Sequence, residues 1–257
     1  MTDARVTPDP AIAKTSKAGQ IGWADVDLLR HPNGPRDRQL LLGDAVTILG
    51  SRDDHIYVQA EKDGYVGYVP SDSLTEPTKV THQITAAATH GYADASIKSH
   101  DLICLSFGGK VTALSDDQEF IETAQGFIPK QALSELPTKP QDPITTARLF
   151  LNTPYLWGGN TRAGIDCSGL IQTAMLSADI ACPGDSDQQE RLGHSVAHQD
   201  YQPGDLLFWK GHVALITSKN TMIHANAHHM RVVEEAIVPA LTRIADTTGP
   251  VTAHKRL

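Results

Sequence analysis

The feature that most constrains the fold of this chain is a sequence repeat in its first half. Short apolar stretches broken by turn residues run from about residue 23 to residue 133, a pattern typical of small all-β barrels. Two segments in this region each occur twice, and the one that ends in proline is followed by a leucine four residues later in both copies. The pairs are Gly43–Thr47 with Gly108–Thr112, and Gly67–Pro70 with Gly126–Pro129. Because self-similarity marks repeated structural units, we expect two tandem copies of one barrel.

A proline-rich segment, Leu136–Pro143, follows the repeat. Its three prolines oppose both helix and sheet, since each lacks a backbone N–H and restricts the chain around it. We therefore expect the β-rich half to end there. The sequence predicts three domains, over residues 20–77, 78–137 and 138–257.

The remainder of the chain combines helical and strand patterns. Residues 144–152 and the segment after Cys167 carry apolar residues at helical spacing. Three short strand candidates follow, at residues 206–209, 213–216 and 222–225. Helices that precede strands in this way predict an α+β domain.

Cys167 lies at the predicted start of a helix, in the run Asp166–Gly169. A thiol attacks carbonyl groups only as a thiolate, so a catalytic cysteine needs a group that lowers its pKa from the free value of about 8.5. The free N–H groups and the positive end of the dipole at a helix N-terminus favour an anion. The same N–H groups can stabilise the oxyanion of a tetrahedral intermediate. We therefore predict that Cys167 is a catalytic nucleophile.

The chain has 12 histidines, and geometry selects two of them as partners for this thiol. His212 and His224 flank a turn-like segment, Ser218–Asn220, in two neighbouring predicted strands. In a hairpin centred there, the two residues are equidistant from the turn and face each other, with Cβ atoms about 5 Å apart. We predict that His212 is the base and that His224 holds its ring and tautomer.

The charge of the chain excludes several classes of partner. With 22 Lys and Arg against 30 Asp and Glu, the formal net charge is −8, which offers no basic surface to a phosphate backbone or an anionic lipid. We expect neither nucleic acid nor a membrane as a partner. The first ten residues lack the charged start and apolar stretch of a secretory signal, and three cysteines are too few for a disulfide framework. These features predict a cytoplasmic protein with at least one free thiol.

Four ordered segments around these residues resemble the NlpC/P60 cysteine peptidases of peptidoglycan. They are Pro154–Gly159, Asp166–Leu170, Pro203–Trp209 with His212 and Val213, and Ile223–Ala225. The repeated strand ending in Gly-aromatic-aliphatic-Pro is similar to the bacterial SH3-like (SH3b) domain. The alternative is a pair of generic β-barrels that serve as spacers. The resemblance implies an α+β chain in which a papain-like catalytic domain follows two small all-β SH3-like barrels. It also implies a Cys-His-His triad that cleaves bonds to γ-D-glutamyl residues in murein stem peptides.

The tandem barrels without a signal resemble in particular the γ-D-glutamyl-L-diamino acid endopeptidases that recycle murein tripeptides with a free N-terminal L-Ala. Carried over residue by residue, the resemblance implies that Asp166 binds the substrate ammonium and that Ser168 and Ser186 donate to the D-Glu α-carboxylate. It further implies that Tyr155 forms a wall of the site or contributes to the oxyanion site. Tyr65 is the candidate contribution from the first barrel. A helix N-cap is the alternative role for Asp166.

Other interpretations of the sequence are open at this point. A murein-binding protein whose third domain is not a peptidase is the alternative from a different class, and amidases and acyltransferases share cores of this type. His228 and His229 suggest metal binding, but no cysteine or carboxylate lies near them at a recognisable ligand spacing. We expect no metal and no cofactor. The expected ligand is a murein tripeptide or a related stem peptide.

Overall fold

The structure is a computed structural model that describes residues 3–117, 119–197 and 200–257. The chain divides into two compact units, Met1–Lys139 and Pro140–Leu257. The boundary between the units lies within the proline-rich segment. The division of the first unit into two domains stays a prediction.

The first part of unit one, here called the first module, is a seven-stranded antiparallel sheet. Its strands are β1 (Lys17–Ile21), β2 (Asp25–Leu29), β3 (Arg36–Leu41), β4 (Ala45–Arg52), β5 (His55–Ala60), β6 (Val66–Pro70) and β7 (Leu74–Thr75), in the order β3-β2-β6-β5-β4-β1-β7. Alternate residues of a strand face the same side of the sheet, and the module core accordingly includes Val26 and Leu28 from β2 together with Val58 and Ala60 from β5. Burial of these apolar faces is the main stabilising contribution within the module.

The rest of unit one, here called the second module, holds a five-stranded and a three-stranded sheet. Its strands are β8 (His82–Ile84), β9 (Ala88–Tyr92), β10 (Asp101–Ser106), β11 (Lys110–Val111), β12 (Ser115–Asp116), β13 (Phe120–Thr123), β14 (Gly126–Pro129) and β15 (Leu133–Glu135). The sheet orders are β10-β9-β14-β13-β12 and β11-β8-β15. Ile84, Leu105 and Ile128 form the centre of its core.

The sequence repeat is also a repeat of local structure. In each module a strand ends at a proline, a three-residue 3₁₀ helix follows, and the next strand starts at a leucine. Pro70 and Pro129 have nearly the same backbone angles, with φ of −54° and −57° and ψ of 139° and 127°. The proline ring fixes φ in this range, so the same residue produces the same corner twice.

A short segment between β3 and β4 joins the two modules. Leu42 belongs to the first module in sequence but packs in the core of the second, and its carbonyl accepts a 2.8 Å hydrogen bond from the N–H of Lys110. Gly43 has φ of 78°, and a Cβ there would lie 2.4 Å from the Lys110 carbonyl oxygen. Glycine is therefore required at this close approach.

A buried carboxylate lies beside this segment. Asp44 accepts hydrogen bonds from Lys62 Nζ at 2.8 Å, Lys110 Nζ at 3.2 Å and the Leu41 N–H at 3.1 Å. Burial disfavours the charged form, but the two lysines and the hydrogen bonds outweigh that cost and lower the pKa of Asp44 to about 2. The two modules thus share an ion pair as well as apolar contacts.

Unit two combines helices with a six-stranded antiparallel sheet. Its elements are α1 (Pro143–Leu149), β16 (Asn160–Thr161), β17 (Gly164–Ile165), α2 (Cys167–Ser177), α3 (Ser186–Gln189), β18 (His194–Ser195), β19 (Leu206–Trp209), β20 (His212–Ile216), β21 (Thr221–Asn226), β22 (Arg231–Ala236), α4 (Ile237–Thr247) and β23 (Ala253–Arg256). The order of the large sheet is β18-β23-β19-β20-β21-β22. Helix α2 packs against β20 and β21, and Ile237, Ala240 and Ile244 of α4 share a core cluster with residues of β19, β20 and β21.

The three predicted strands of this unit coincide with β19, β20 and β21, and the predicted helix starts near residues 144 and 167 coincide with α1 and α2. Strand β22 and helix α4 were not predicted, and both contribute to the site described below. Within the described ranges, no helix has the length and apolar character to cross a membrane. All three cysteines are free thiols, with Cys104 exposed and Cys182 buried.

Candidate active site

Cys167 is the first residue of helix α2. The helix begins there because the side chain of Asp166, in extended conformation, accepts a 2.7 Å hydrogen bond from the N–H of Gly169, which is the geometry of an N-cap. Only 6% of Cys167 is exposed. The thiol therefore lies in a largely desolvated position at the positive end of a helix dipole, where an anion is favoured.

The Asp166 carboxylate makes further hydrogen bonds that organise the loops around Cys167. Its Oδ1 also accepts from the Ser168 hydroxyl at 3.0 Å, and its Oδ2 accepts from the Gly158 N–H at 2.8 Å. The alternative N-cap role of Asp166 is thus present in the structure. Its role toward a substrate ammonium stays a prediction, as does the role of Ser168, whose hydroxyl proton points to Asp166 in this arrangement.

Gly169 allows the helix start to approach the preceding loop. A Cβ at this position would lie 2.5 Å from the carbonyl oxygen of Gly159, well inside van der Waals contact. Gln189 of α3 contributes a second tie, because its side-chain amide donates to the Ser168 carbonyl at 2.9 Å. The first turn of α2 is therefore held from two sides.

His212 and His224 are in direct contact, with His212 Nε2 2.8 Å from His224 Nδ1 and ring centroids 5.0 Å apart. The predicted hairpin register, however, is wrong. Leu215 pairs with Ile223, which centres the turn on Lys219. Continued at this register, His212 lies diagonally from His224 rather than opposite it. The two rings still meet, because a two-residue offset keeps them on the same face of the sheet.

The structure adds two residues that sequence reasoning missed. Oε1 of Glu235, in β22, lies 2.7 Å from His224 Nε2, and Arg243 of α4 donates to both Glu235 oxygens, at 2.8 and 2.6 Å. Glu235 pairs with Met222 in the β21–β22 ladder, so it too lies diagonally from His224. The buried positions Ile237 and Ile244 at helical spacing were the signal that could have revealed α4.

The surroundings of His212 favour a neutral ring, which is the form that can act as a base. Burial, followed by the charges of His224 and Arg243, lowers the pKa of His212 to about 3. Burial opposes the charge of Glu235, but hydrogen bonds from His224 and Arg243 outweigh it and lower its pKa to about 2. At neutral pH the His212 ring is uncharged and able to accept a proton, and the Glu235 carboxylate is ionised.

Tyr155 and both histidines line a cleft of about 460 Å³, together with Lys210, Asn226 and Arg243. Burial, followed by the charges of Cys167 and Asp166, raises the pKa of the Tyr155 phenol. Its hydroxyl is therefore protonated at neutral pH and available as a donor. Its predicted roles, as a wall or in the oxyanion site, stay predictions.

The two other predicted substrate contacts are Ser186, in unit two, and Tyr65, in unit one. Ser186 is the half-buried first residue of the four-residue helix α3. Tyr65 lies in the core cluster of the first module with 3% of its surface exposed, where its ring contributes to packing. A part in substrate binding stays a prediction for both residues.

Among the described residues, no group of three or more His, Cys, Asp or Glu side chains has the geometry to hold a metal ion. His228 and His229 contact each other edge to face, with ring centroids 4.7 Å apart, and the His229 N–H donates to Asn226 Oδ1 at 2.8 Å.

Comparison with known proteins identifies a family for one segment of each unit. Residues 152–242 match the NlpC/P60 family, and residues 28–74 match the bacterial dipeptidyl-peptidase SH3 domain. The chain therefore carries an NlpC/P60 domain of papain-like fold together with a bacterial SH3 domain, which confirms the resemblance seen in the sequence. A second SH3 domain is a finer statement and is treated below as a proposal.

Two relatives and one crystal structure are similar to this chain over at least 73% of its length. The chain is 29% identical to the gamma-D-glutamyl-L-lysine dipeptidyl-peptidase of Bacillus cereus, over 74% of this chain and 67% of the relative. It is 26% identical to the protein of the same name from Bacillus subtilis, over 73% of this chain and 71% of the relative. The crystal structure of an NlpC/P60 family protein from Bacillus cereus superimposes with a TM-score of 0.77, over 93% of this chain and 99% of that one, at 22% identity. This last likeness is one of fold.

Proposed function

We propose that this chain is a cysteine endopeptidase that hydrolyses the bond between γ-D-glutamate and a diamino acid in murein stem peptides. The observation that carries the proposal is the 2.8 Å contact between His212 and His224 beside a cleft, in a domain whose helix start presents Cys167. The names of the two Bacillus relatives supply the bond type.

The reaction we propose starts with transfer of the Cys167 proton to His212. Because His212 Nε2 is engaged by His224, the accepting atom is Nδ1. The thiolate then attacks the γ-carbonyl carbon of D-Glu, and the negative charge passes to the carbonyl oxygen. The donors that we propose for this oxyanion are N–H groups of the first turn of α2 and the Tyr155 hydroxyl.

Collapse of the tetrahedral intermediate breaks the C–N bond. His212 returns its proton to the leaving amine of the diamino acid, and a thioester between Cys167 and the γ-glutamyl group is left. A water molecule then gives one proton to His212 and attacks the thioester carbon. Breaking the C–S bond, with return of that proton to sulfur, regenerates the thiol and releases the glutamyl product with a free γ-carboxylate.

For the substrate we propose a tripeptide with a free N-terminal L-Ala, with Asp166 as partner of the ammonium. Asp166 directly precedes the nucleophile, and a charge-assisted bond at that place would set the distance from the amino terminus to the scissile bond. Tripeptides of this kind arise from murein breakdown, and a role in their recycling in the cytoplasm is part of the same proposal.

We also propose that residues 78–137 form a second SH3b-like domain. The support is the repeated corner of strand, proline, 3₁₀ helix and leucine in the two modules. The positive-φ glycines Gly43 and Gly108, at equivalent places in the sequence repeat, have φ of 78° and 91°.

The proposed activity is tested by incubating the protein with L-Ala-γ-D-Glu-L-Lys, with the diaminopimelate equivalent, and with N-acetylated versions of both. Mass spectrometry of the products should show L-Ala-γ-D-Glu and the free diamino acid, with the acetylated peptides cleaved at least about 100-fold more slowly because the ion pair is lost.

Cys167→Ala is the control, and its turnover should fall by at least about 1000-fold. Full turnover by this variant would refute the proposed mechanism. Equal cleavage of the free and acetylated peptides would refute the role of Asp166 while leaving the peptidase activity intact. Co-sedimentation with intact sacculi without any peptide product, unaffected by Cys167→Ala, would instead favour a murein-binding protein.

A further inference from the structure

His224 is completely buried, and both of its ring nitrogens are engaged. Nδ1 lies 2.8 Å from His212 Nε2, and Nε2 lies 2.7 Å from Glu235 Oε1. A neutral imidazole has one N–H donor and one lone-pair acceptor. The identity of the group facing each nitrogen therefore decides which nitrogen carries the proton.

Glu235 can only accept in this arrangement. Arg243 donates to Oε2 from one nitrogen and to Oε1 from another, at 2.8 and 2.6 Å, which fixes the carboxylate as the acceptor in a two-point ion pair. An ionised carboxylate has no proton to donate. His224 Nε2 must then be the N–H that points to Glu235, and His224 Nδ1 carries the lone pair.

The position of the proton on His224 determines its position on His212. Since His224 Nδ1 offers a lone pair, His212 Nε2 must be its donor, and His212 Nδ1 is left with the lone pair. The reverse arrangement would direct the lone pair of His224 Nε2 at the negative Glu235 oxygen. It would also place a proton on His212 Nδ1, where a base must accept one.

We propose that Glu235 is a positioning residue that sets the tautomer of both histidines, and that Arg243 holds its carboxylate in the required orientation. The proton positions are a property of the folded protein, whereas the consequence for catalysis rests on the proposed peptidase function. Glu235 thereby takes the part that a carboxylate has toward the base in Ser-His-Asp triads, but acts one ring further from the nucleophile.

The neighbouring residue supplies a matched control. Glu234 is adjacent to Glu235 in β22, so its side chain points to the opposite face of the strand. It too forms a two-point ion pair, with Arg148 at 2.7 and 3.0 Å. Glu234→Gln therefore removes the same charge from the same strand without touching a histidine.

The direct test is nitrogen NMR of the protein with ¹⁵N-labelled histidine, which distinguishes a protonated ring nitrogen from one with a lone pair. The wild-type protein near pH 7 should show His212 and His224 both protonated at Nε2, with signals assigned from His212→Asn and His224→Asn variants. Protonation of either ring at Nδ1 alone would overturn the proposal, and this reading requires neither a substrate nor a Glu235 variant.

The kinetic test compares Glu235→Gln with Glu234→Gln on L-Ala-γ-D-Glu-L-Lys. The glutamine amide donates as well as accepts, so it no longer imposes one tautomer on His224. We expect kcat to fall roughly 10- to 100-fold, the equivalent of one charge-assisted hydrogen bond, with KM changed by less than about threefold. Glu234→Gln should retain kcat.

Equal kcat values for the two variants, or a Glu235→Gln defect confined to KM, would refute the positioning role. A folded wild-type protein with the expected Nε2 signals but no turnover of any γ-glutamyl peptide would instead refute the proposed function, and would support the tautomer assignment.

Discussion

Two clusters beside the six-stranded sheet of unit two each contain a histidine, a carboxylate and an arginine. One is His224, Glu235 and Arg243. In the other, His254 Nε2 lies 2.8 Å from Asp205 Oδ2, and Arg256 Nε donates to Asp205 Oδ1 at 2.7 Å. Both histidines are completely buried at the side chain, and their distances to the carboxylate, 2.7 and 2.8 Å, are nearly equal. The carboxylate is a glutamate with 18% of its side chain exposed in the first cluster and an aspartate with 1% exposed in the second.

The clusters differ in what the second nitrogen of each histidine faces. His254 Nδ1 lies 3.2 Å from the carbonyl oxygen of Ala197, so oxygen acceptors face both sides of the ring and the hydrogen bonds end in the backbone. His224 Nδ1 faces His212, which lines the cleft. We infer that a histidine, a carboxylate and an arginine serve folding where their hydrogen bonds end in the backbone, and serve the proposed chemistry where they continue to His212.

Replacement of the two histidines is the strongest test of this contrast. His224→Ala should lower kcat by about 1000-fold, because His212 loses the partner that orients its ring. His254→Ala should destabilise the protein but leave kcat of the folded fraction within about threefold of wild type. Steady-state kinetics at 15 °C, with circular dichroism to measure the folded fraction, checks both. Comparable kcat losses in the two variants would break the comparison.

The carboxylate of the second cluster should act on stability alone. Asp205→Asn leaves Arg256 and buried His254 without their anionic partner, and removing one member of a buried pair costs about 3 kcal/mol or more. Within Asp205, burial opposes ionisation, but hydrogen bonds from Arg256, the Gln202 N–H and His254 outweigh it and lower its pKa. Urea unfolding measures the loss. A variant as stable as wild type would show that the cluster has no structural role.

Asp44 is a buried carboxylate paired with lysines and not with a histidine, so its effect on stability can be compared with that of Asp205. Its pKa of about 2 lies below the ordinary value of 3.8, so the folded state binds its proton less readily than the unfolded chain. The resulting stabilisation, about 2 kcal/mol, is present above pH 4 and is lost as the pH falls from about 4 to about 2. The stability difference between wild type and Asp44→Asn, measured in urea at pH 7 and pH 2.5, should shrink at the lower pH. A difference that does not change with pH would contradict the assignment.

The smallest effect is expected at the ion pair of Arg148 with Glu234. The Arg148 side chain is 47% exposed, and exposed pairs contribute about 1 kcal/mol or less. Arg148→Met should therefore change the free energy of unfolding by no more than about that amount, as measured by urea titration at low and high salt. A loss as large as that in Asp205→Asn would show that burial is not what separates these pairs.

Much of unit two was predictable because its signals are local. Strands β19, β20 and β21 are short apolar runs, and the α2 start was visible as Asp166 ahead of helical apolar spacing. The pairing of His212 with His224 followed from their sequence separation, since an even offset keeps both on one face. The register was wrong because the Thr217 N–H bonds to the Thr221 carbonyl at 2.9 Å, which centres the loop one residue later than expected.

Local sequence patterns could not predict the two further members of the hydrogen-bonded network, Glu235 and Arg243. Glu234 and Glu235 are adjacent, identical in type and on opposite faces of β22, and only the pairing of Met222 with Glu235 decides which one reaches His224. Arg243 depends on how α4 packs on the sheet. Both are long-range properties of the fold, and residue type and spacing within one segment carry little information about them.

Leu42 has a consequence for how the first unit unfolds. Its side chain fills the core of the second module while the chain on either side of it runs in strands of the first. Unfolding of the first module would withdraw Leu42 and open a cavity in the second, and unfolding of the second would expose Leu42 to water. The two modules should therefore melt in a single transition. The second module on its own would lack the Leu42 side chain, and a cavity of this size typically costs about 2–5 kcal/mol. The modules are two copies in sequence, but one cooperative folding unit.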